Sequence, residues 1–77
     1  MPGEDNLRML IFRLRRAARD ATFATPPRIK LGITRAMGRE LVRTLRRDEE
    51  TPVMARDGLG RAIYRLDMGD IVVEWLA

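Results

Sequence analysis

Two consecutive prolines, Pro26 and Pro27, divide the chain into parts that cannot share one helix. Proline has no N–H to donate, its ring clashes with the carbonyl four residues back, and it drives the preceding residue toward extended backbone. The apolar spacing changes across this break. Before it, Leu7, Leu10, Ile11, Leu14, Ala18 and Ala21 recur at the i, i+3, i+4 steps of one buried stripe, which predicts a helix over residues 6–23. Asp5 or Asn6 is placed to cap that helix, and acids in the first turn suit the positive end of its dipole.

After the prolines, Arg28-Ile29-Lys30-Leu31-Gly32-Ile33 alternates basic and apolar residues, the pattern of a short extended segment. Thr34 is placed to cap a second helix over residues 35–48, with Met37, Leu41 and Leu45 as its apolar seam. Gly38 weakens that helix by up to about 1 kcal/mol unless close packing requires it. Asp48, Glu49 and Glu50 stand at the negative end of the dipole, so the helix is expected to fray there.

The remainder reads as β structure. Pro52-Val53-Met54-Ala55 leads to Asp57-Gly58, a tight-turn signal between two extended runs. Residues 61–66 alternate, with Ala62, Tyr64 and Leu66 on one face and Arg61, Ile63 and Arg65 on the other. Asp67-Met68-Gly69-Asp70 turns the chain into a last strand, residues 71–76, apolar on both faces except at Glu74. The expected architecture is α+β: two amphipathic helices packed on a small antiparallel β-meander of two to four short strands, forming one domain over residues 1–77.

A chain of 77 residues has a core near the lower limit for independent folding. It contains no cysteine and no histidine, so neither a disulfide nor a thiolate metal site can supplement that core. Good packing, oligomerisation or a bound partner must do so instead. Serine is absent as well, which excludes Ser–His and Cys–His nucleophilic catalysis within one chain, and the commonest general acid–base residue is missing. Asp67 and Asp70 could offer two oxygens to a metal, but no further ligand has suitable spacing. Gly58-Leu59-Gly60 has no Walker lysine beside it and reads as a hairpin bend rather than a phosphate loop. The chain is therefore expected not to be an enzyme and to use no cofactor, metal or small-molecule substrate. No apolar run is long enough to span a bilayer and no export signal is visible, so a soluble protein kept in the cytoplasm is expected.

The positive signal is charge. Fourteen arginines and one lysine face eleven acids, and they are segregated. Residues 7–47 carry +10, whereas residues 48–77 carry −4. Genome composition can account for arginine outnumbering lysine, but it does not account for position. On the first helix Arg8, Arg15 and Arg19 share a stripe, with Arg16 and Phe12 beside them. On the second, Arg35, Arg39, Arg43, Arg46 and Arg47 cover the arc opposite Met37, Leu41 and Leu45. These nine arginines are the candidate contacts to a polyanion, either nucleic acid or an acidic protein surface. A solvated helix face is the plain alternative.

The link between the helices is too long for a helix–turn–helix, and the aromatics of an RNA-recognition sheet are absent. The two-sided last strand suggests that Ile71, Val73 and Trp75 meet a protein partner or a second copy of the chain. In size, missing catalytic groups and Arg/Ala-rich composition, the chain resembles small phage or mobile-element products. That resemblance implies an alternative: an accessory protein, either a virion component or an inhibitor of a host defence complex, acting by protein–protein contact.

Overall fold

The computed structural model describes residues 2–21 and 24–77, with side chains from Asn6 onward in its first helix. The elements are α1 (Pro2–Ala21), β1 (Arg28–Lys30), α2 (Arg35–Arg47), β2 (Val53–Arg56), β3 (Ala62–Asp67) and β4 (Val72–Leu76), an α+β arrangement. The first helix starts before its expected caps: Pro2 occupies a helical position where its missing N–H has no intrahelical acceptor to lose. The expected end at Phe23 lies outside the described residues.

The strand order is β1-β4-β3-β2. Strands β2, β3 and β4 form the antiparallel meander expected from the turns between them. The sheet is nevertheless mixed, because β1 lies parallel to β4 with Arg28 opposite Val72 and Lys30 opposite Glu74. Alternation in residues 28–33 shows an extended segment but carries no information about which strand it joins or in which direction. Pro27 fits this edge because only its carbonyl is used, accepting a bond from the Val72 N–H at 3.0 Å. The Leu31 N–H extends the ladder to the Glu74 carbonyl at 2.8 Å.

With β4 inside the sheet, its alternation decides the core. Ile71, Val73 and Trp75 join Leu66 in a cluster with Leu41, Val42 and Leu45 of α2 and with Leu7, Ile11 and Ala18 of α1. Their exposures are 0%, 0% and 2%, so the chain's own helices cover the three residues expected at a partner surface. Two-sided hydrophobicity arises here because the other face also carries buried apolar side chains, Val72 and Ile63, around the buried Glu74. The expected seams shift slightly. Leu10 and Ala21 of α1 and Met37 of α2 are exposed, whereas Val42 is buried, because each helix contacts the core over a narrower and slightly rotated arc.

Gly38 is required by packing. A Cβ there would stand 2.7 Å from Trp75 Cδ1 and 3.1 Å from its Nε1, and that Nε1–H donates to the Gly38 carbonyl at 3.1 Å. Thr34 caps α2 as expected, its hydroxyl accepting from the Met37 N–H at 3.2 Å.

The far end of α2 does not fray. The Glu49 N–H donates to the Arg46 carbonyl at 3.1 Å and the Glu50 N–H to the Leu45 carbonyl at 2.9 Å, the paired bonds of a Schellman motif. Glu49 holds the left-handed position at φ 64, where a side chain costs about 1 kcal/mol or more relative to glycine. Glu49→Gly is therefore expected to stabilise the protein by about 1 kcal/mol, raising the melting temperature by roughly 4–8 °C in a thermal scan. An unchanged or lower melting temperature would show that the motif is not held in solution.

The β2–β3 hairpin is wider than Asp57-Gly58 suggested. Three residues, Gly58-Leu59-Gly60, form its loop, the Gly60 N–H donating to the Asp57 carbonyl at 3.0 Å and Gly60 supplying the positive φ of 78. Asp57 organises it, its Oδ1 accepting from the Leu59 and Arg61 N–H groups at 2.9 and 2.8 Å.

Candidate polyanion-binding face

The nine candidate arginines separate into two groups once the chain is folded. On α1, three of them turn toward acids from the second half of the sequence. The Arg8 guanidinium donates to Asp48, the residue capping the far end of α2. Arg15 Nε donates to both Asp70 oxygens, at 3.0 and 3.2 Å, and Arg19 Nε donates to Oδ2 at 2.7 Å. Asp70 is positioned by the β3–β4 turn, in which Gly69 takes φ 84 and its N–H donates to Asp67 Oδ1 at 2.8 Å. Much of the charge separation visible along the sequence is thus closed within the molecule, where it ties α1 to the sheet. Arg16 stays exposed near Phe12 and has no ion pair among the described residues.

Asp70 responds to two opposing influences. Burial raises its pKa, but hydrogen bonds from Arg15 and Arg19, together with their charges, outweigh that and hold it below 3.8. A carboxyl depressed in the folded state stabilises it at pH values above the unfolded pKa and loses that contribution as pH falls through the folded value. Asp70→Asn is accordingly expected to lower stability at neutral pH and to flatten the fall in stability below pH 3.8. Urea titrations at neutral pH and at several acid pH values measure both effects. An acid limb as steep as in the parent protein would exclude the Asp70 contribution.

On α2 the situation is reversed. Arg35, Arg39, Arg43, Arg46 and Arg47 are all exposed, and they occupy the arc opposite buried Gly38, Leu41, Val42 and Leu45. Only Arg43 has an acid partner among the described residues, Glu40 one turn earlier. The arrangement opposes helix stability. Arg35/Arg39, Arg39/Arg43 and Arg43/Arg47 are three successive i, i+4 like-charge pairs, each unfavourable by about 0.2–0.5 kcal/mol. The first turn of α2 contains no acid to suit the dipole and has Arg35 in its place.

The sequence already indicated this face. What it did not indicate was that Asp48 and Asp70 withdraw Arg8, Arg15 and Arg19 from it. These acids lie 40 to 55 positions from the arginines they bind, and only the summed charges of the two halves hinted at the pairing. Among the described residues no group of three or more acids comes together to hold a metal, and no helix is long and apolar enough to cross a membrane. Comparison with known proteins finds no matching family model, curated protein or solved structure.

Proposed function

We propose that the protein is a non-enzymatic binding module that holds a polyanion on the arginine face of α2. The observation carrying this reading is the row of guanidinium groups on α2, of which only Arg43 has an acid partner among the described residues, kept despite its cost to the helix, in a molecule that pairs three arginines of its other basic helix with acids. Local choices that conflict with stability mark sites used for something else. Arginine suits such a site because its planar fork binds phosphate or carboxylate through two parallel hydrogen bonds.

Arg39→Glu separates this reading from a merely solvated face. The substitution turns two repulsive i, i+4 pairs into attractive ones, so the free protein is expected to gain about 0.8–2 kcal/mol. Binding to a labelled nucleic acid at about 50 mM salt is expected to fall at least roughly tenfold, since a phosphate contact is replaced by repulsion. A more stable protein that binds as before would defeat the proposal.

A second reading, contact with a protein partner, draws on a different surface. Met9 and Phe12 of α1, 54% and 63% exposed, stand one turn apart and so form a small apolar patch on the helix. Self-assembly through them is tested by sedimentation, in which Phe12→Glu must lower the mass; a parent protein that is already monomeric removes self-assembly.

A further inference from the structure

We infer that the polyanion is a nucleic-acid duplex, gripped by its phosphate backbone without regard to base sequence. This rests on the α2 reading above and narrows it. The arc of α2 that carries the five arginines also holds Ala36 and half-buried Glu40; Met37, the exposed apolar residue of this helix, falls on its other side between buried Thr44 and Leu41, so the arc itself has no large apolar side chain. Protein interfaces use arginine too, but around a core of buried apolar and aromatic anchors, whereas nucleic-acid interfaces are polar and strongly positive throughout. The composition of the arc matches the second kind.

Strand number follows from where the aromatic rings lie. Single strands are held by stacking bases on exposed rings. Trp75 is buried beneath α2 with its Nε1–H bonded to Gly38, and Tyr64 packs beside it with ring centroids 6.0 Å apart, both on the side of α2 away from the arginines. Phe12 is exposed, but it stands on α1 beside Arg16, and no aromatic side chain is on the α2 arc. Sequence reading is likewise unsupported. The chain has no glutamine and one asparagine, Asn6 on α1, so the amide side chains that pair with adenine edges are missing from the face. Arginines without such partners position a protein on phosphates, which carry no sequence information.

The dimensions agree. From Arg35 to Arg47 the helix rises about 18 Å, a length over which a duplex presents roughly ten phosphate charges. Four of the five arginines have no acid partner among the described residues. Four phosphate contacts predict a slope of about −3.6 in log K against log salt, close to a hundredfold loss between 50 and 200 mM.

The test is fluorescence anisotropy of the full chain with two duplexes of unrelated sequence, one single strand of equal length, and labelled polyglutamate. The expected result is that the duplexes bind within about threefold of each other and at least about tenfold tighter than the other two probes, with Arg39→Gln and Arg46→Gln each reducing the salt slope by about 1. If the single strand or polyglutamate binds as tightly as the duplexes, or the duplexes differ more than about tenfold, the inference is overturned. The α2 reading then survives provided Arg39→Glu still weakens binding at least about tenfold. If no probe binds even at low salt, both fall together.

Discussion

Removing the Arg65 guanidinium, as in Arg65→Met, is expected to destabilise the protein by about 2–4 kcal/mol, a large share of the margin available to so small a fold. Glu74 lies on β4 with only 5% of its surface exposed, and Arg65 Nε of the neighbouring strand donates to its Oε2 at 2.7 Å. Register places the two residues directly opposite each other, with Lys30 opposite Glu74 on its other side. The loss does not measure the worth of the ion pair. It is mainly the cost of leaving a carboxylate buried among Val72 and Ile63 without its partner, reduced because Arg65 itself is about one-third exposed. The double variant Arg65→Met/Glu74→Leu is therefore expected to recover most of the stability, since the site then becomes continuous apolar surface. Chemical denaturation of the single and double variants tests this. Equal instability in the double variant would show that the pair itself, rather than relief of an isolated charge, stabilises the sheet.

Gly38→Ala is the second large effect, and here two contributions compete. Alanine is the better helix former by about 1 kcal/mol. Against that, the added methyl would stand 2.7 Å from Trp75 Cδ1 and 3.3 Å from the Leu76 carbonyl, the first distance inside van der Waals contact. The indole has nowhere to go, being 2% exposed, rigid, and anchored by its Nε1–H to the Gly38 carbonyl. Separating α2 from β4 enough to admit the methyl costs about 1–3 kcal/mol as overpacking and stretches that hydrogen bond. A net loss of about 1–2 kcal/mol is expected, seen as a lower urea midpoint at unchanged slope. In a Trp75→Phe background, where the ring is smaller and has no N–H, Gly38→Ala should cost less, a coupling readable from the double-mutant cycle. A stabilised Gly38→Ala single variant would mean that α2 and β4 do not approach as closely in solution.

The elements were legible in the sequence because each depends on local signals. Pro26-Pro27 separates α1 from β1, Thr34 starts α2, and the turns at residues 57–61 and 67–70 divide the strands. Arrangements that depend on distant contacts were not. The parallel partner of β1 is 44 positions away, and three residues of alternation cannot specify it. Nor could the sequence say which face of β4 meets the helices, since both faces are apolar. Gly38 decides that question by letting Trp75 approach α2. The end of α2 was misjudged for a related reason. Acids after a helix do oppose its dipole, but the Schellman bonds and the Arg8–Asp48 pair hold that end.

The candidate site was legible to the same extent. Helical spacing placed the α2 arginines on one exposed arc, and the structure puts them there. The α1 arginines obey the same spacing, yet three of them are engaged by acids that folding brings to them. Periodicity tells which way a side chain points from its helix and nothing of what waits there.

The position of β4 in the sheet also bears on how the chain is made. It is the last of the described elements in chain order, yet it is the one against which β1, β3 and α2 all pack. During synthesis α1, β1 and α2 leave the ribosome before the strand that carries Ile71, Val73 and Trp75, with only one another to pack against. At about 5–20 residues per second, the nascent chain waits a few seconds between the emergence of α2 and that of β4. The sheet is completed when β4 enters between β1 and β3, both of which precede it in the chain. For that interval the part of the Leu41-Val42-Leu45 stripe that meets Val73 and Trp75 in the folded protein has no strand to cover it.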